Sequence, residues 1–152
     1  MLIEIADKSG FCFGVQRAID LTEQAADKYS EVYTLGPLIH NTIVTDSLEK
    51  RGVHIAADVQ YAAGKPLVIR SHGVGRDTEE RAQVACSVLL DATCPFVKRI
   101  HNIVAEQPAD STVVILGDGE HPEVQGIMGH ASCKAVACMT LDEVRSVLDG
   151  VR

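Results

Sequence analysis

Residues 66–94 read PLVIRSHGVGRDTEERAQVACSVLLDATC, and this stretch decides the fold. Pro66–Arg70 has a continuous apolar centre of strand length, as expected of a strand buried on both faces. Asp77 opens a helical stretch, and Glu80 three residues on fits a capping box. Ser87–Ala92 is a second aliphatic run bounded by polar residues and reads as a strand. Strand, helix, strand in that order is a βαβ unit, which implies parallel strands.

The same alternation extends both ways from this unit. Upstream, Leu2–Ile5 reads as a strand, and Val15, Ala18, Ile19, Thr22 and Ala25 recur at helical spacing. Glu31–Leu35 reads as a strand, and a helix from about Asn41 to Arg51 is stopped by Gly52. Downstream, Pro95 suits the first turn of a helix carrying Phe96, Val97, Ile100, Ile103 and Val104. Thr112–Leu116 is a strand, a short helix begins near Pro122, and Lys134–Met139 is a strand. Thr140 and Glu143 form a second capping box for a helix ending near Gly150. The fold class is therefore α/β with a mainly parallel sheet. Ala105–Ser111 is the best candidate for a polar connection.

The chain has 152 residues, room for one domain or two small ones. It is 46% hydrophobic and 23% charged, the balance of an ordinary globular protein. Fourteen Lys and Arg against 21 Asp and Glu give a net charge of −7, without a basic run. That argues against nucleic acid or an anionic membrane as partner. Apolar runs are strand-sized and the N-terminus lacks the pattern of a signal peptide, so the expected compartment is the cytoplasm. Five cysteines, an odd number, argue against a disulfide framework. The chain stops just after a helix, as one part of a longer polypeptide would.

Reactive side chains gather after the strands or at helix starts. They are Cys12 in Gly10-Phe11-Cys12-Phe13-Gly14, His40 after Leu35-Gly36-Pro37, and His72 in Arg70-Ser71-His72-Gly73. Cys94 ends Asp91-Ala92-Thr93-Cys94-Pro95, and His121 lies in the turn after Thr112–Leu116. Parallel α/β folds bind ligands outside the carboxyl ends of their strands, so two Cys and three His would face one crevice. A cysteine at a helix N-terminus meets the positive end of the helix dipole, which favours the thiolate that ligates soft metals and iron–sulfur clusters. Gly10 and Gly14 leave room for close approach of a bulky cofactor. Three histidines beside helix-start N–H groups suit a phosphate or diphosphate, without the sequence of a P-loop. Glu123 stands at the same corner and, if burial raised its pKa, could donate a proton. Taken singly, each also has a plain reading. Cys86, Cys133 and Cys138 are expected to be packing residues, and His54 and His101 packing or surface residues. His130 is open, and Glu123 could simply be favourable charge in a first helical turn.

The segments Gly10-Phe11-Cys12-Phe13-Gly14-Val15, Leu35-Gly36-Pro37-Leu38-Ile39-His40-Asn41, Arg70-Ser71-His72-Gly73-Val74, Asp91-Ala92-Thr93-Cys94-Pro95 and His121-Pro122-Glu123-Val124-Gln125-Gly126 occur in that order. Together they closely resemble the 4-hydroxy-3-methylbut-2-enyl diphosphate reductase family, which closes the methylerythritol phosphate route to isoprenoids. The resemblance implies three-layer parallel-sheet βα domains arranged as a trefoil, of which this chain would carry the first (1–94) and part of the second (95–152). It implies a [4Fe-4S] cluster with Cys12 and Cys94 as two ligands. It implies diphosphate-binding roles for His40, His72 and His121, and Glu123 as the acid in the proton relay. Such an enzyme removes a hydroxyl as water from an allylic diphosphate, giving isopentenyl and dimethylallyl diphosphate, with electrons from ferredoxin or flavodoxin.

The family is roughly twice this length, and its third cluster cysteine belongs to a C-terminal domain missing here. Neither Cys133 nor Cys138 matches that ligand. Activity of this chain alone is therefore expected to be low. Two other readings stand beside the reductase: a non-catalytic diphosphate-binding module built on the histidines, and a thiol-dependent redox or zinc protein built on Cys12 and Cys94.

Overall fold

The computed structural model describes residues 2–7 and 9–150. In chain order the elements are α1 (Phe13–Lys28), β1 (Val32–Leu35), α2 (Thr42–Glu49), β2 (Val53–Ala56), a 3₁₀ turn (Val59–Ala62), β3 (Pro66–Ile69), α3 (Arg76–Ala85), β4 (Val88–Asp91), α4 (Pro95–Ala105), β5 (Thr112–Leu116), α5 (Pro122–His130), β6 (Lys134–Cys138) and α6 (Leu141–Asp149). One sheet has the order β2-β1-β3-β4 and a second pairs β5 with β6, and every pairing is parallel.

Side chains on successive strand residues point to opposite faces, and the core divides accordingly. Val68 packs with Ala18, Ile19 and Ala25 of α1 and Leu48 of α2, whereas Leu67 and Ile69 pack with Ala82 of α3 and the 3₁₀ turn. The first sheet is thus the middle of three layers, and β3 is buried at every position. Local signals set the element ends. The Asn41 side chain accepts the Val44 N–H at 3.3 Å and caps α2. Gly52, at φ +84°, turns the chain into β2. Thr140 caps α6, and the Glu143 carboxylate accepts the Met139 N–H at 2.7 Å.

Two expectations are corrected. Leu2–Ile5 is not a strand: its three apolar side chains are 72–85% exposed, and no described strand pairs with it, without which an extended segment has no ladder. The helix at 76 does not open with a capping box at Asp77. Its cap is Gly75, with no side-chain acceptor, because Gly75 packs backbone to backbone against Gly129 of α5. Asp77 sits inside the first turn, where its charge suits the dipole.

Candidate active site

The functional loops are an extension of the sheet ladder. Beyond the last strand pairs, the Ala92 N–H donates to the Ile69 carbonyl at 3.0 Å. Ser71 then donates through both its N–H (3.3 Å) and its Oγ–H (3.1 Å) to the Leu38 carbonyl, while its own carbonyl accepts the Cys94 N–H at 2.9 Å. Buried Ser71 therefore joins the turns after β1, β3 and β4, which carry His40, His72 and Cys94. Sequence reasoning passed over Ser71, because its partners are backbone carbonyls that carry no side-chain signature.

His121 arrives from the second sheet, as the N-cap of α5. Ring centroids of His40 and His72 lie 4.7 Å apart, those of His72 and His121 5.6 Å, and those of His40 and His121 6.1 Å. One nitrogen from each of the three rings falls within 4.8 Å of the others. His72 is half-buried, unlike the exposed His40, and its Nδ1 has no partner. Burial first, then the nearby His40, Arg70 and His121, lowers its pKa to about 4, so it is neutral at pH 7. Arg70 folds over Gly36, where any Cβ would collide with its Nη1; burial also lowers the pKa of this guanidinium. Gly36 is needed twice, for that approach and for its φ of +71°. Glu123 lies in the first turn of α5, its backbone N–H donating to His121 Nδ1 at 3.2 Å.

Cys12 caps α1 and is exposed, and Cys94 caps α4 and is half-buried; neither side chain caps its helix by a hydrogen bond. A Cβ on Gly14 would overlap Cys94 Sγ, so that glycine makes room for the other thiol. Gly10 instead supplies a backbone conformation, φ +130°. Arg17 of α1, also unforeseen, clamps this corner by donating to the carbonyls of Thr93 (3.2 Å) and Asp91 (3.1 Å). Cys86 is the C-cap of α3, where burial raises its thiol pKa. Cys138 is buried in β6 and Cys133 lies just before that strand. Among the described residues the histidine trio is the only group of three close metal-capable side chains, and it includes no cysteine. The two thiols at this corner fit part of an iron–sulfur ligand set and leave the rest unfilled.

Beneath the trio, His101 of α4 is almost wholly buried and stacks on His130, ring centroids 4.2 Å apart. His130 Nε2 lies 3.0 Å from the Val74 carbonyl. A Cβ on Gly73 or Gly126 would press on the His101 ring, so this histidine fills the joint between the His72 turn and α5.

A family profile described as LytB protein matches residues 3–150. The 4-hydroxy-3-methylbut-2-enyl diphosphate reductase of Alkaliphilus oremlandii is 43% identical over 150 residues, covering 97% of this chain and 54% of its own length. That of Geobacter sp. strain M21 is 46% identical over 134 residues, covering 87% and 47%. A solved (E)-4-hydroxy-3-methyl-but-2-enyl diphosphate reductase, the terminal enzyme of the non-mevalonate pathway, superposes with a TM-score of 0.82 at 36% identity. It is matched over 97% of this chain and 54% of its own. The E-1-hydroxy-2-methyl-but-2-enyl-4-diphosphate reductase of Plasmodium falciparum superposes with a TM-score of 0.84 at 28% identity, over 91% and 45% of the two chains. The chain thus spans about half the length of the relatives it matches. A profile match over nearly every residue, carried by a fold that overlays on these reductases, makes the chain a member of the LytB family.

Proposed function

We propose that this chain supplies the diphosphate-binding histidines and two cluster-binding cysteines of a 4-hydroxy-3-methylbut-2-enyl diphosphate reductase. The observation that carries the reading is the convergence of His40, His72 and His121, from two different sheets, on one small volume beside the turn that leads to Cys94. Imidazoles at that spacing hold the oxygens of a diphosphate, and Glu123, on the same helix as His121, delivers a proton to the leaving hydroxyl. The overall reaction takes two electrons and two protons and releases the hydroxyl as water, leaving the two isomeric five-carbon diphosphates. The electrons come from ferredoxin or flavodoxin, and a [4Fe-4S] cluster held in part by these two thiols would supply the one-electron chemistry. Cys12 and Cys94 are two of its ligands; further ligands must come from the half of the relatives that this chain does not match. Residues 1–94 form the first domain and 95–152 part of a second. The compartment is the cytoplasm, in keeping with five free thiols.

Two measurements on the 152-residue chain test this together. Calorimetry with inorganic pyrophosphate is expected to show binding that survives Cys12→Ser and is lost in His72→Ala. Anaerobic reconstitution with iron and sulfide is expected to yield substoichiometric cluster, reduced further by Cys12→Ser and by Cys94→Ser. Zinc bound by the two cysteines, with pyrophosphate binding absent or indifferent to His72, would overturn the reading. Pyrophosphate binding with iron indifferent to both cysteines would leave only the non-catalytic module.

A further inference from the structure

α5 starts against a histidine ring. The Glu123 backbone N–H, one of the first-turn donors that a helix leaves unpaired, points at His121 Nδ1 at 3.2 Å. A ring nitrogen that accepts a hydrogen bond uses its lone pair and carries no proton. A neutral imidazole has one of each kind of nitrogen, so the proton of neutral His121 lies on Nε2. Nε2 is on the opposite edge of the ring and is the nitrogen left free for a ligand.

His72 points the same way by a different argument. Its Nδ1 is buried with no partner. A buried N–H without an acceptor is the rarer and costlier orphan, so the proton of this neutral ring also belongs on Nε2. Two of the three clustered rings therefore offer an N–H. The spacing of the trio would equally admit a divalent cation, yet a metal ion binds imidazole lone pairs and not N–H groups. For His121 to ligate a metal through Nε2, its proton must move to Nδ1. There it would face the Glu123 N–H head on, and the cap of α5 would be lost.

We propose that the Glu123 backbone N–H fixes His121 as its Nε2–H tautomer, and that this makes the trio select phosphate oxygens over divalent metal cations. Selection is then achieved by the direction of a single backbone donor. The inference rests on the diphosphate reading for the identity of its ligand and on the α5 cap for its mechanism, and the two can fail separately.

The test is the two-bond proton–nitrogen correlation spectrum of the ¹⁵N-labelled chain, which reads the tautomer of each imidazole, followed by separate titrations with inorganic pyrophosphate and Zn²⁺. The expected result is an unprotonated Nδ1 and a protonated Nε2 on His121. Pyrophosphate should shift the Nε2 signals of His72 and His121, whereas Zn²⁺ at the same concentration should leave the trio's nitrogens unmoved, whatever it does at the thiols. Pyrophosphate bound to a His121 protonated on Nδ1 would overturn this inference and spare the diphosphate reading. A His121 protonated on Nε2 in a chain that ignores pyrophosphate would support the tautomer and sink that reading. Zn²⁺ stripping the Nε2 proton at concentrations below those at which pyrophosphate binds would overturn the selectivity.

Discussion

His101 is 1% exposed, and neither of its ring nitrogens has a hydrogen-bond partner. Burial, then the facing His130 and Lys98, lowers its pKa to about 4. His72 is lowered to the same value and His130 in the same direction, burial being the largest cause in each. An unfolded histidine takes up its proton near pH 6.5, whereas folded His72 and His101 hold out until about pH 4. Across that window the unfolded chain binds more protons, so stability falls as the pH drops. The urea midpoint, followed by circular dichroism, is expected to decline steeply between about pH 6.5 and 4. His101→Leu nearly conserves volume and removes two unpartnered buried nitrogens. It should flatten that acid limb and leave stability at pH 7 unchanged or raised by about 1 kcal/mol. An acid limb as steep as before would mean that His101 is not among the groups responsible.

At the scale of elements, α5 matters most, because it carries His121 and Glu123 on one end and seats its flank on the His72 turn. That seat is made of glycines: a Cβ on Gly129 would stand 2.6 Å from Gly75 Cα, and one on Gly126 3.5 Å from the His72 carbonyl oxygen. Gly129→Ala gains about 1 kcal/mol of helix propensity, but it overpacks backbone against backbone, a cost of roughly 1–3 kcal/mol. The clash should win. We expect a lower melting temperature together with weaker pyrophosphate binding, as α5 shifts His121 away from His72; a more stable Gly129→Ala chain with intact binding would refute this seating. The same long-range contact explains what the sequence could show and what it could not. β1, β3, β4 and the cap of α2 follow from apolar runs and a local Asn, and they were legible. Asp77 misled because the cap position was settled by Gly129, more than fifty residues away. Leu2–Ile5 misled because a short apolar run becomes a strand only where a neighbour supplies the ladder. The histidines' placement at strand and helix ends was legible from topology. The work of Ser71, Arg17 and His101 was not, since each acts on backbone or on a packed joint rather than within a motif.

Across the whole molecule the two sheets are unequally protected. β3 is buried throughout and β1 at three of its four positions, whereas β5 is buried nowhere and β6 only at Cys138. Native-state hydrogen exchange should therefore find the β1–β3 amides opening only with global unfolding, and the β5–β6 amides exchanging at least about tenfold faster. Equal protection in the two sheets would contradict this ranking. Through Ser71 the ladder runs on past the last strand pairs. Ile69 pairs with Asp91, and His72 and Cys94 each stand three residues beyond that row. The position of each reactive group over the sheet end is thus set by the number of residues in its turn, and the turn after β3 is closed by the Gly73 N–H donating to the Arg70 carbonyl at 3.0 Å. One residue gained or lost in either turn would shift its imidazole or thiol relative to the trio, whose three ring nitrogens lie within 4.8 Å of one another. These turns have to keep their length as well as their residues, because an insertion that left every side chain unchanged would still put the right groups in the wrong place.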